Sequence, residues 1–126
     1  MGERQPPGPW AIDVFRSERG EAPARYFVAG LVGRDRDEAF ALIKLLEEQG
    51  NALRRPQSGV LGEGLFELRG RQVRIFYMFL SGRRIVLLDG GIKKRDDIPP
   101  ATLRRMRSYR SIVLEREAGL RKGRRE

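Results

Sequence analysis

The stretch FELRGRQVRIFY, residues 66–77, decides how this chain can fold. Apolar and polar residues alternate on both sides of Gly70-Arg71, which is typical of two β-strands joined by a tight turn. A connection this short forces antiparallel pairing. The pattern therefore predicts strands over residues 65–69 and 73–79.

The same alternation predicts which side chains share a face of the sheet. If the apolar residues of both strands face the core, Arg69 and Arg74 both point to the opposite, uncovered face. Like charges opposite each other on adjacent strands are destabilising unless an anion lies between them. A guanidinium matches the oxygens of a phosphate and keeps its charge at neutral pH. The alternative is that both arginines are ordinary solvated residues, paired with Glu67.

Further elements extend the sheet on both sides of this hairpin. A third strand is predicted over residues 84–89, after a turn at Ser81-Gly82, and an N-terminal strand over residues 10–15. Residues 51–63, which carry a proline and two glycines, are predicted to form a loop.

Three helices complete the prediction. The first begins near Pro23, the second is capped by Asp35 with Glu38 in a capping box and ends at Gly50, and the third begins at Pro99-Pro100. The order β-α-α-β-β-β-α predicts the α+β class. We expect a small twisted antiparallel sheet, an N-terminal strand plus a three-stranded meander, with two N-terminal helices and a C-terminal helix packed on one face.

The length of 126 residues is enough for one core and too short for two. We expect a disordered Pro/Gly-rich tail over residues 1–9, a single domain over residues 10–118 and a mobile basic tail over residues 119–126. The polar start and the absence of any apolar run near the roughly 20 residues of a membrane span predict a cytoplasmic protein without membrane contact.

The amino-acid composition limits which partners, catalytic groups and cofactors the protein can have. The 26 basic residues against 17 acidic ones give a formal net charge of +9, which favours a polyanionic partner, with solubility alone as the alternative. With no Cys and no His, catalysis would have to rely on Arg, Lys, Tyr, Asp or Glu, and we expect no metal or organic cofactor. Only four of the basic residues are lysine, and two of these are the adjacent Lys93 and Lys94. An amine, unlike a guanidinium, can give up a proton when other cations lie close to it, and Arg95 follows Lys94 directly.

Several short motifs occur in a recognisable order: GLFELR at residues 64–69, RIFY at residues 74–77, LLDGGIKK at residues 87–94, and then a helix that begins with proline. This series, over residues 10–113, resembles the RelE/HigB superfamily of toxins and most closely its phage-derived HigB-like branch. That branch has an ELR strand, a strand with arginine before aromatics, and an LL-x-G-F-x-KK strand end. The chain departs from the pattern at Gly91, where phenylalanine is usual, and lacks the histidine of some members.

The resemblance implies a RelE-like fold and the toxin half of a type II toxin-antitoxin system. Such toxins typically are metal-independent endoribonucleases that cut mRNA on the ribosome and inhibit translation. By motif match the catalytic residues would be Arg69, Arg74, Lys93 and Lys94, with Tyr77 a further candidate. Glu67 is a less suitable base, because it would form an ion pair with a neighbouring arginine. The implied partners are mRNA and a cognate antitoxin, a small helix-turn-helix protein whose acidic or apolar segment covers the basic face.

Two other functions stay open on the sequence alone. A ParE-like toxin that inhibits gyrase has the same fold and would need no RNA-cleaving residues. A catalytically inactive basic module would bind RNA or a protein, and its binding would fall steeply with salt.

Overall fold

The chain folds around one five-stranded sheet. The computed structural model describes residues 8–94 and 97–125. The strands are β1 (Ala11–Val14), β2 (Ser58–Gly62), β3 (Leu65–Arg69), β4 (Val73–Leu80) and β5 (Arg84–Ile92); the helices are α1 (Pro23–Ala29), α2 (Gly33–Gln49) and α3 (Pro100–Arg125), with a 3-10 turn at Gly50–Ala52. Across the sheet the strands lie in the order β1-β5-β4-β3-β2, and the α+β class is confirmed.

The predicted meander is present, in antiparallel pairing throughout. Strands β3 and β4 pair with Leu68 opposite Ile75 and Arg69 directly opposite Arg74. Strand β5 pairs with β4 along its whole length and continues three residues beyond the predicted end. An irregularity between Phe76 and Tyr77 shifts the register against β5, as expected where one strand carries an extra residue.

Two predictions about the sheet are wrong. The predicted loop over residues 51–63 contains β2, which pairs antiparallel with β3 and forms the edge of the sheet. Glycine is unfavourable in strands, so this strand depends on its partner rather than on its own propensity. Strand β1 lies parallel to β5, with Ala11 opposite Arg84, so the sheet is mixed rather than antiparallel. The direction of such a long-range pairing is not encoded in the local pattern.

The helices cover both faces of the sheet, whereas one covered face was predicted. Helices α1 and α2 pack on one face, where the buried residues include Ala39, Leu42, Leu46, Leu68, Ile75 and Ile85. Helix α3 packs on the other face, where they include Leu65, Met78, Val86, Leu88, Met106 and Val113. Both sides of β4 and β5 are therefore buried, which explains the unbroken apolar runs in these strands.

The helix termini also differ from the predictions. Val32 occupies the N-cap of α2 without a side-chain cap, and Asp35 lies in the first turn instead. Glu38 Oε1 accepts a hydrogen bond from the Arg71 backbone N–H (2.8 Å), so this carboxylate holds the β3–β4 turn rather than closing a capping box. The predicted C-terminal tail is helical as far as Arg125. The predicted N-terminal tail lies outside the described residues except for Gly8 and Pro9.

Candidate functional site

A cleft of about 650 Å³ opens beside the first turns of α3, where that helix no longer covers the sheet. The ends of β3, β4 and β5 form its floor, and the segment that leads into α3 forms one wall. It is lined by Glu67, Arg69, Arg74, Phe76, Gly90, Gly91, Ile92, Lys93, Lys94, Asp97, Ile98, Pro99, Thr102 and Arg105. Four of the five predicted catalytic residues, Arg69, Arg74, Lys93 and Lys94, thus meet in one place.

Arg69 is held from two sides. Its Nε donates to Glu67 Oε1 at 2.7 Å, and its guanidinium lies against Gly59 of the neighbouring strand β2. A Cβ built on Gly59 would lie 2.5 Å from Arg69 Cζ, so only glycine leaves room for the guanidinium there. The Arg69 side chain remains 32% exposed. Arg69 bonds Glu67 through Nε, and its terminal nitrogens form no hydrogen bond within residues 8–94 and 97–125.

Arg74 lies in the middle of the cleft floor. It is opposite Arg69 on one side and opposite Gly91 on the other. Its Nη1 donates to the backbone carbonyls of Gly70 (2.6 Å) and Val73 (3.0 Å). These acceptors are neutral, so they orient the guanidinium without cancelling its charge. The two arginines therefore present two positive charges on the same face at adjacent strand positions.

The two lysines follow β5 at the rim of the cleft. Both are exposed. The Lys93 backbone N–H donates to Gln72 O at 2.6 Å, which extends the β4–β5 pairing beyond Ile92 and fixes the backbone that carries the pair. Arg95, the predicted neighbour of Lys94, lies outside the described residues.

The lining combines positive charge with an apolar wall. Five of the lining side chains are cationic and two, Glu67 and Asp97, are anionic. Of the cations, Arg105 of α3 is bound to Asp89 Oδ2 at 3.0 Å. Most of the other side chains in the lining are apolar, among them Phe76, Ile98 and Pro99. This combination suits a ligand that carries both a phosphate and a flat apolar group.

Gly91 widens the floor beside Arg74. A Cβ built at this position would meet no atom within 4 Å, so the place where the resemblance leads us to expect phenylalanine is open space. The departure removes an aromatic side chain from the cleft and leaves the neighbouring guanidinium accessible.

Glu67 is the least expected member of the site. Its backbone and side chain together are 4% exposed, and while Oε1 accepts from Arg69, Oε2 is buried without a hydrogen-bond partner in the described part of the chain. The sequence placed Glu67 and Arg69 on one face but gave no sign of the unpaired oxygen. Gly59 and Arg105 were missed altogether, the first because it lay in a predicted loop.

Tyr77 does not belong to this cleft, contrary to the prediction. It lies on the opposite face of the sheet, in the core beneath α1 and α2, because alternate residues of β4 face alternate sides. Its hydroxyl is 2.6 Å from Ser58 Oγ, and the residue is 1% exposed. Burial raises the pKa of Tyr77 above its ordinary value, and the hydrogen bond with Ser58 opposes this shift.

Two further observations bear on cofactors and membranes. Among residues 8–94 and 97–125, no group of three or more Asp, Glu, His or Cys side chains is placed to hold a metal ion. The helices described above include none that is long and apolar enough to span a bilayer.

Residues 18–109 match the family described as phage derived protein Gp49-like, which covers most of the chain. One similar solved structure is the toxin-antitoxin complex RelBE2 from Mycobacterium tuberculosis, with 17% identity, a TM-score of 0.43, and coverage of 70% of this chain and 95% of that chain. A search of curated proteins finds no significant match.

Proposed function

Because the chain belongs to the Gp49-like family of phage-derived proteins, toxins of the RelE/HigB type, we propose that it is a toxin that cleaves mRNA and thereby inhibits translation. It would be the toxin of a type II toxin-antitoxin system and would act in the cytoplasm, on mRNA positioned by the ribosome. The observation that carries this proposal is the pairing of Arg69 opposite Arg74 in a cationic cleft.

The two arginines would bind the scissile phosphate. The 2′-hydroxyl of the ribose gives up its proton to water and attacks phosphorus, and the negative charge on the phosphorane oxygens grows as the O2′–P bond forms. Guanidiniums that are already held in place stabilise this charge without first reorganising, and the loss of one such donor typically costs 10²- to 10³-fold in rate. Carbonyl groups orient Arg74, and Gly59 with Glu67 orients Arg69.

The lysines would supply the proton for the leaving group. As the P–O5′ bond breaks, the 5′-oxygen takes up a proton, and Lys94 or Lys93 at the rim can deliver it from its ammonium. The products are then a 2′,3′-cyclic phosphate and a free 5′-hydroxyl. None of these steps requires a metal ion, so we expect cleavage to persist in EDTA.

A site without histidine has limited acid/base power, which supports the ribosome as the place of action. Holding the 2′-oxygen, phosphorus and 5′-oxygen in line can replace much of the missing chemical power, because orientation alone is worth several orders of magnitude in rate. The ribosome would provide this orientation, and the cleft would provide the charge.

The antitoxin would be the natural partner of the same cleft. A chain of net charge +9 with a cationic cleft attracts an acidic segment, and the apolar wall of Phe76 and Ile98 adds area for apolar side chains. We expect a small helix-turn-helix protein encoded in the neighbouring reading frame. Its binding would occlude Arg69 and Arg74.

The test uses Arg69→Ala and Arg74→Ala, expressed separately from an inducible promoter. We expect both to abolish growth arrest and the cleavage of cellular transcripts while their thermal unfolding stays close to that of wild type. Arg36→Ala on α2 is the matched control, because it removes the same charge from an exposed position on the opposite side of the sheet. Full toxicity of both cleft variants would refute the assignment.

Transcript mapping also separates the other functions. DNA damage with intact transcripts would point to a gyrase inhibitor. Binding to RNA that falls with salt and yields no cleavage product would point to an inactive module.

A further inference from the structure

We propose that the protein has a second RNA subsite, on the face of the sheet opposite the cleft, where an unpaired base of the bound strand stacks on aromatic rings. The inference rests on the proposed function, because it extends the path of the RNA beyond the scissile phosphate. The subsite is a cavity of about 440 Å³ beside β2, here called the edge pocket. The residues that line it include Leu53, Arg54, Arg55, Val60, Phe66 and Phe79.

The edge pocket exposes apolar side chains on one face of the sheet. It follows the C-terminal end of α2, and its lining begins with Asn51. Val60, on the edge strand β2, is 72% exposed and lies opposite Phe66 of β3. Phe66 and Phe79 are also partly exposed. Exposed apolar side chains that cluster at a cavity are typical of a surface that binds a ligand.

The aromatic rings suit a flat ligand. The rings of Phe66 and Phe79 lie with their centroids 5.0 Å apart and their planes at 74° to each other. A base that stacks on one of these rings would meet the other at its edge, and both arrangements are favourable. The hydroxyls of Tyr77 and Ser58 beneath them are buried and hydrogen-bonded to each other. We therefore expect recognition by stacking, which tolerates any base.

The charge around the edge pocket suits a polyanion. Arg54 and Arg55 are both exposed. Among residues 8–94 and 97–125, no acidic side chain lines this pocket, whereas two acidic side chains line the cleft. Arg54 Nη1 donates to the backbone carbonyls of Asn51 (2.6 Å) and Leu53 (3.4 Å), which are neutral and leave its charge uncancelled. The two guanidiniums are thus available for the phosphates on either side of a stacked base.

The edge pocket and the cleft are neighbours across a single strand. The Cβ position of Gly59 on β2 faces the cleft, where the Arg69 guanidinium lies against it. The next residue, Val60, points to the other face and into the edge pocket. Because β2 is the edge of the sheet, an RNA strand held by Arg69 can pass round β2 and reach the pocket. This continuity favours RNA as the occupant, since an acidic peptide would match only the charge.

Val60→Glu is the decisive variant, because it places a negative charge at the pocket without changing a buried side chain. The ligand is a fluorescent 2′-O-methyl oligouridine of about ten nucleotides, which lacks the attacking hydroxyl and stays intact; its binding is measured by anisotropy. We expect the affinity to fall by about 5- to 150-fold, the effect of losing one stacked base. Val32→Glu is the matched control: Val32 is 80% exposed and lies at the other end of α2, roughly 25 Å away.

Arg55→Ala tests the phosphate contact. We expect weaker binding and a plot of log affinity against log salt concentration whose slope is smaller by about 0.7, the value for one phosphate contact with a single strand. Arg36→Ala on α2 removes the same charge from an exposed position and should leave the slope unchanged.

Trp10 gives a second readout of the same pocket. It is the only tryptophan of the chain, and its ring lies against Phe79 with the centroids 5.5 Å apart. A base stacked on Phe79 would change the surroundings of this indole. We therefore expect the oligonucleotide to change Trp10 fluorescence in the wild-type protein and in Val32→Glu, but not in Val60→Glu.

Four results would overturn the inference. Wild-type protein might bind no oligonucleotide, or Val60→Glu might bind it as tightly as wild type does. An equal loss in Val32→Glu would mean that only the net charge matters. Normal RNA binding by Val60→Glu, combined with escape from neutralisation by the protein encoded in the neighbouring reading frame, would assign the pocket to a protein partner. If the Val60 effect is present but wild-type protein leaves transcripts intact, the proposed cleavage is refuted and the RNA subsite is supported.

Discussion

Gly59→Ala tests whether the position of Arg69, and not merely its charge, matters to this protein. The backbone of Gly59 has no positive φ, so alanine is conformationally allowed there. The new Cβ would lie 2.5 Å from Arg69 Cζ and Nη2 and 2.7 Å from Nε, whereas ordinary contacts begin near 3.4 Å. The guanidinium must therefore move by about 1 Å.

The size of the effect follows from that displacement. A misplacement of about 1 Å at a group that positions the substrate can cost about 10²-fold in rate, or roughly 2.7 kcal/mol of transition-state stabilisation. Stability should change by less than about 1 kcal/mol. The atoms that must move belong to the end of a flexible side chain, and alanine is intrinsically favoured over glycine in a strand by about 0.5 to 1 kcal/mol.

The assay is a double-mutant cycle on the rate of cleavage of ribosome-bound mRNA. Gly59→Ala is measured in the wild-type chain and in Arg69→Ala, and Gly30→Ala serves as the control because its Cβ would meet only ordinary contacts at 3.6 Å. If Gly59 acts through Arg69, Gly59→Ala should cause no further loss of cleavage rate in the Arg69→Ala background. An equal loss in both backgrounds, or no loss in either, would show that the reasoning is mistaken.

Three other substitutions test the frame around the cleft. Tyr77→Phe leaves the buried Ser58 hydroxyl without its hydrogen-bond partner, which should lower the free energy of unfolding, measured in urea, by about 1 to 3 kcal/mol. We expect toxicity to stay intact. Loss of toxicity would mean that Tyr77 takes part in the site. Because burial raises the pKa of Tyr77 in the folded state, the wild-type advantage should be complete below about pH 10, where the free phenol is protonated, and should shrink at higher pH. Met106→Ala, at a site with no exposure where α3 meets the sheet, should cost about 2 to 5 kcal/mol, and an unchanged melting temperature would contradict that packing. Arg84→Ala removes two hydrogen bonds between the Arg84 guanidinium and the partly exposed Glu117 carboxylate, so we expect the free energy of unfolding to fall by only about 0.5 kcal/mol. A fall of more than about 2 kcal/mol would mean that this ion pair anchors α3 to the sheet.

The hairpin could be predicted because residues close together in the sequence determine it. Alternation over residues 66–77 and the short turn fix which residues face each other, so the opposition of Arg69 and Arg74 followed without any long-range knowledge. Lys93 and Lys94 lie at the same cleft because they directly follow β5, which pairs along β4 and ends beside Arg74. The same rule puts Tyr77 on the core side, where the structure has it, so its predicted place beside the arginines did not follow from the alternation.

The rest of the site depends on partners that are distant in the sequence. Strand β2 forms from a glycine-containing segment only because β3 is there to pair with it, and the contribution of Gly59 is the absence of a side chain. The unpaired oxygen of Glu67 becomes visible only when both neighbouring strands are known. The sequence does carry a signal of the second helical layer, because each of β4 and β5 contains four consecutive apolar residues, which is typical of strands covered on both faces.

Some of the charged residues that line the cleft are expected to destabilise the native fold. Two arginines directly opposite each other repel, and a buried carboxylate oxygen that has no donor within residues 8–94 and 97–125 costs stability, so we expect this cluster to lower the free energy of unfolding. The sheet can hold them because both its faces are packed elsewhere, with α1 and α2 on one side and α3 on the other. Backbone carbonyls hold the Arg74 guanidinium, and Glu67 and the Gly59 backbone hold that of Arg69, so on the proposed function a phosphate would meet charge that is already in position. Under the proposed function, the negative charge that develops in the transition state would relieve the repulsion between the two guanidiniums.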